Sequence, residues 1–142
     1  MKAEELKIGN LFYSINHSSE VHLPVPIAFK VLTIEVDRVK AVRSNEIPAC
    51  VEIWAEFKYY DISPIPLNEE WLLRMGFIHD GGKGYKSPNN TEYWFFTLRN
   101  GFMPNTIAKC SINSDGYIGV QYIHQLQNLY YALTGTELTI NE

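Results

Sequence analysis

A few stretches of this chain hold residue types that do chemistry. Gly81-Gly82-Lys83-Gly84 has the composition of a phosphate-binding loop. It lacks the GxxxxGK(S/T) spacing, and Tyr85-Lys86-Ser87-Pro88 follows in place of a helix. A phosphate loop works by presenting a helix N-terminus, so this run reads as a hairpin turn. His17, His22, His79 and His124 are scattered, with no HxH or HxxxH spacing to seed a metal site. Cys50 and Cys110 make neither a CxxC pair nor a zinc spacing. They read as reduced thiols, with a disulfide between them as the alternative. No serine lies in GxSxG. Glu69 and Glu70 are adjacent, and neighbours on a helix diverge by about 100°, so they make a poor acid/base pair. Their place in a first helical turn has its own electrostatic reason. No catalytic residue, cofactor or metal is assigned.

What remains are groups suited to contact. Trp54 lies beside Glu52 and Glu56 on one strand face, which suits a sugar or a basic peptide if it is not simply solvated. His124, Gln127 and Tyr131 fall together on a helical wheel, just off the apolar arc, with Asn128 on the polar side. They either bond to a neighbouring loop or face a partner. Trp54, His124, Gln127, Asn128 and Tyr131 are therefore the candidate partner-binding residues.

The helix that carries four of them is the strongest pattern in the chain. Over Gln121–Gly135, Tyr122, Ile123, Leu126, Leu129, Tyr130 and Leu133 form one apolar arc. Gly135 stands where a left-handed cap would end it. A second, short helix is marked at both ends by Asn68 as N-cap, Glu69 and Glu70 in the first turn, Leu67 and Leu72 at staple positions, and Gly76 with Phe77 as a Schellman close.

The other elements read as strands. Leu11–Ile15, Phe29–Val36, Val39–Val42 and Val51–Phe57 are joined by short turns or loops. In Phe29–Val36 the alternation puts Phe29, Val31, Thr33 and Glu35 on one face and Lys30, Leu32, Ile34 and Val36 on the other. Asp61-Ile-Ser-Pro-Ile-Pro-Leu is a proline-stiffened connector. Beyond the short helix, Phe77–His79, Tyr85, Tyr93–Leu98, Ile107–Ile112 and Tyr117–Val120 read as further strands, with Leu138-Thr-Ile as a final edge. The predicted fold is α+β: an N-terminal antiparallel lobe over 1–60, resembling an SH3-like partial barrel, and a lobe over 61–142 of short helix, hairpins and a long helix packed on strands. The two are expected to form one unit.

Composition narrows the function. With 142 residues and 46% hydrophobic content the chain can bury a real core. A formal charge of −4 disfavours a broad grip on nucleic acid or an anionic membrane. The polar, acidic start and the lack of a long apolar run predict a cytoplasmic setting with no membrane contact.

Three stretches carry a family resemblance: Leu6-Lys-Ile-Gly-Asn-Leu-Phe-Tyr, the Asp61–Phe77 run DISPIPLNEEWLLRMGF, and the Tyr122–Leu138 run YIHQLQNLYYALTGTEL. Together they resemble a large group of small proteins carried by prophages and mobile elements of gut anaerobic bacteria. That group has no established activity, so the resemblance implies a phage-linked accessory protein and carries over no site residue. The expected function is a non-enzymatic protein-binding or assembly module, acting on another protein or on a second copy of itself. The alternatives are a nucleic-acid-associated protein using the small barrel or the long helix, and an enzyme with a site between the lobes built on His124 or Cys110. A basic face gathering Lys83, Lys86, Arg99 and Lys109 would favour the nucleic-acid alternative.

Overall fold

The computed structural model describes residues 3–15, 28–43, 54–79, 84–88, 95–97, 108–112 and 116–140. For Ala3, Trp54 and residues 95–97, 108–112 and 116–118 it describes the backbone alone. The fold is α+β, and the chain divides into two compact units, Met1–Ile65 and Pro66–Glu142.

The N-terminal unit is a five-stranded antiparallel sheet curled into a half-barrel. Strands β1 (Leu11–Ser14), β2 (Ala28–Ile34), β3 (Arg38–Arg43), β4 (Trp54–Lys58) and β5 (Ile62–Ser63) lie in the order β4-β3-β2-β1-β5. A single 3-10 turn, Tyr59–Asp61, joins β4 to β5. The connector predicted over 61–67 thus begins with a strand: Ile62 and Ser63 pair with Ser14 and Tyr13. The prolines that make this stretch look like a linker begin only at Pro64.

The inner face of this sheet holds Leu6, Phe12, Phe29, Val31, Val39, Ala41, Phe57 and Ile62. Three phenylalanines meet at its centre. Phe12 stacks on Phe29 at 5.8 Å, and both meet Phe57 edge-on, at 5.3 and 4.7 Å. Such pairs add about 0.5–1.5 kcal/mol each beyond area burial.

The alternation read along β2 breaks at one place. Val31 pairs with Ala41, yet Thr33 pairs with Lys40 and Ile34 with Val39. One extra residue, Leu32, is left out of the ladder, which is a β-bulge. Thr33 therefore shares register with Lys40 instead of joining Phe29 and Val31, and Ile34 lies opposite buried Val39.

The C-terminal unit begins with α1 (Glu69–Arg74), continues through β6 (Ile78–His79), β7 (Tyr85–Lys86), β8 (Phe95–Thr97), β9 (Ala108–Ile112) and β10 (Gly116–Val120), and closes with α2 (Ile123–Thr134). Its five strands form an antiparallel meander in chain order. The ends of α1 form as their residue types require. The Asn68 side chain accepts from Trp71 N at 2.9 Å. At the other end Phe77 N donates to Leu72 O and Gly76 N to Leu73 O, both at 3.0 Å, with Gly76 at φ 81°. Leu138-Thr-Ile is not a strand; the segment has no helical or strand structure, and Leu138 is buried.

Candidate functional site

The five predicted contact residues divide between the two units. Trp54 belongs to the N-terminal unit, where its backbone pairs with Val42. The other four lie on α2 in the C-terminal unit, and the helix presents them differently from the wheel. Ile123, His124, Leu126, Gln127 and Tyr130 are its buried residues. His124 is 1% and Gln127 3% exposed, whereas Leu133 is 42% exposed and Leu129 half-buried. The apolar arc is thus displaced toward His124 and Gln127, and of the two roles expected for this stripe Gln127 takes the bond to a neighbouring segment. The Gln127 amide is used internally. Gln127 Nε2 donates to the Leu138 carbonyl at 3.1 Å, and the His124 ring stacks on Tyr122 at 5.8 Å. Tyr131 is 43% exposed and Asn128 half-buried, so these two keep access to solvent.

The start of α2 is fixed by Gln125, whose Oε1 accepts from Gln121 N and Tyr122 N. Leu67 N donates to Gln121 O at 2.9 Å, tying the residues before α1 to the residues before α2. The C-terminal unit also holds a side-chain cluster absent from the sequence reading. Tyr85 is buried and donates its hydroxyl to Glu69 Oε1 at 2.5 Å, and His79 meets its ring edge-on at 5.1 Å. Burial, then the bond to the Glu69 carboxylate, pushes the Tyr85 phenol up to about 12. A phenol held protonated in this way ties the first turn of α1 to β7. Arg74 lies over the Trp71 ring at 4.5 Å on the same helix.

In the N-terminal unit, charge and apolar surface meet at the β2–β3 hairpin. Arg38 bonds Asp37 and Glu56 at 3.0 Å, and Lys40 bonds Glu35 at 3.2 Å and Glu56 at 3.7 Å. Arg38 holds the Asp37 carboxyl below its ordinary range through this hydrogen bond. The Tyr59 hydroxyl donates to Glu35 O, fixing the hairpin to the 3-10 turn. In the same hairpin Leu32 and Ile34 are 40% and 37% exposed, and Val36 at the turn is fully exposed. Ile8 is exposed as well, and Gly9 N donates to Val31 O and Val31 N to Asn10 O, which ties 9–10 to β2. The signal in the sequence was an apolar residue on both sides of the β2 alternation, which a strand covered on one face cannot bury.

Of the four cations named as a possible basic face, Lys83 and Arg99 lie outside the described residues, as does the Lys109 side chain; Lys86 pairs with Ile78 and Phe95. Cys50 also lies outside them, and Cys110 pairs through its backbone with Ile118 and Phe96. Among the described residues no group of three or more His, Cys, Asp or Glu is placed to hold a metal, and no helix is long and apolar enough to cross a membrane. The chain matches no protein-family model, no curated protein and no solved structure.

Proposed function

We propose that this chain is a phage-linked accessory protein that serves as a non-enzymatic binding or assembly module for another protein, with its N-terminal sheet as an SH3-like partial barrel. The barrel reading is supported by the strand order β4-β3-β2-β1-β5 and by the 3-10 turn that feeds β5 back against β1. The phage link rests on the three motif stretches that resemble prophage proteins.

The observation that carries the binding role is the exposure of Leu32, Ile34 and Val36 at the β2–β3 hairpin, which also holds the Arg38, Glu56, Lys40 and Glu35 ion pairs. Exposed apolar side chains near paired charges are the composition of a contact surface. The bulge that leaves Leu32 out of the ladder contributes to it. A nucleic-acid role gains nothing at this hairpin, since Arg38 and Lys40 are both paired with acids.

The test is affinity capture from host and phage-infected lysates, with the wild-type chain and Leu32→Lys run side by side. A partner held by the wild type and lost by the folded variant supports the reading. Equal recovery by both places the contact elsewhere.

A further inference from the structure

The residues of the β2–β3 turn do not select it. Between Glu35 and Arg38 the loop is Val36-Asp37. Two-residue hairpin loops favour Asn-Gly, Asp-Gly or Gly-Gly, which reach the positive φ that such turns use. Val36-Asp37 has no glycine, so contacts from outside the loop take a larger part in holding it. Those contacts meet at Glu35. Its N–H donates to Arg38 O at 2.9 Å, which closes the turn. Its carboxylate takes Lys40 Nζ at 3.2 Å, an exposed ion pair of the kind that holds a turn weakly. Its carbonyl accepts from the Tyr59 hydroxyl at 2.5 Å. The first two partners belong to the hairpin itself. Tyr59 is 24 residues away in the chain, half-buried, and packed against the buried cluster that includes Phe57. The register explains its reach: Arg38 pairs with Lys58, so Tyr59 comes next, level with the turn.

We propose that Tyr59 is a positioning residue of the contact surface: its hydroxyl holds the Glu35 carbonyl and so keeps the turn in the shape that presents Val36. This role depends on the binding proposed above for the same hairpin. A surface already held in its bound shape loses less conformational freedom on association. Tyr59 acts through Val36 and need not touch the partner.

The experiment uses the full chain and Tyr59→Phe, which keeps the ring on the core and removes only the hydroxyl. In hydrogen exchange the Glu35 amide should open about threefold to tenfold more often in the variant, the range that loss of one hydrogen bond gives. The Val31 amide, bonded to Asn10 O at 2.9 Å, should keep its rate. An unchanged Glu35 rate, or equal acceleration at both amides, overturns the proposal. The wild type gives a reading even if the variant fails to fold: a Glu35 amide that exchanges at the open-chain rate overturns it as well. Partner capture by the wild type, Tyr59→Phe and Val36→Asp then separates this role from the binding it serves. Tyr59→Phe should recover about a third of the wild-type yield or less, and Val36→Asp almost none. Wild-type yield from Tyr59→Phe with loss from Val36→Asp overturns the positioning role alone. Wild-type yield from both overturns the binding role of the hairpin.

Discussion

His124 and Gln127 sit where a helix ordinarily places leucines. A buried amide is tolerated when it is engaged, and here Gln127 reaches the Leu138 carbonyl, while the His124 ring is buried against Tyr122. His124→Ala should therefore cost roughly 1–3 kcal/mol of stability. Thermal unfolding checks it; an unchanged melting temperature would return His124 to the list of surface contacts. Tyr85 gives a pH-dependent prediction. Its folded pKa lies above the ordinary phenol value, so it stabilises the fold below about pH 10, and that contribution is lost as pH rises toward about 12. Stability followed by circular dichroism should fall over this window, and Tyr85→Phe should flatten the fall. A profile identical in both proteins would show that the bond to Glu69 does not govern it.

At the scale of elements, the ends of α1 were legible because caps are local. Asn68, Gly76 and Phe77 act on backbone groups within a few residues, so their spacing alone predicts the bonds that form. Asn68→Ala should cost about 0.5–2 kcal/mol. The existence of α2 was equally legible, but its orientation was not. The wheel ranks residues by hydropathy, whereas the buried face is chosen by what lies against the helix, including a segment beyond its own end. Leu126, 1% exposed, and Leu133, 42% exposed, separate the two views. Leu126→Ala should cost about 2–5 kcal/mol and Leu133→Ala much less. Equal losses, measured by denaturant unfolding, would restore the arc centred on both leucines. The β2 bulge was hidden for a related reason. A one-residue register shift leaves the composition of a strand unchanged, and only its pairing partners reveal it. Residues 62–63 were read as linker because the prolines after them dominate the local signal.

For the whole molecule, the α+β class and the antiparallel strands follow from periodicity and turn residues, which act along the chain. The candidate surface does not, because it depends on which apolar residues the finished sheet leaves uncovered. The binding role proposed for this protein rests on the exposed apolar residues of the β2–β3 hairpin and requires no reactive centre. The most direct measurement is capture of a partner by Val36→Asp and the wild type, with unfolding curves recorded for both. Val36 is fully exposed, so the account predicts unchanged stability and a loss of the captured partner. A folded Val36→Asp chain that retains its partner at wild-type yield would contradict it.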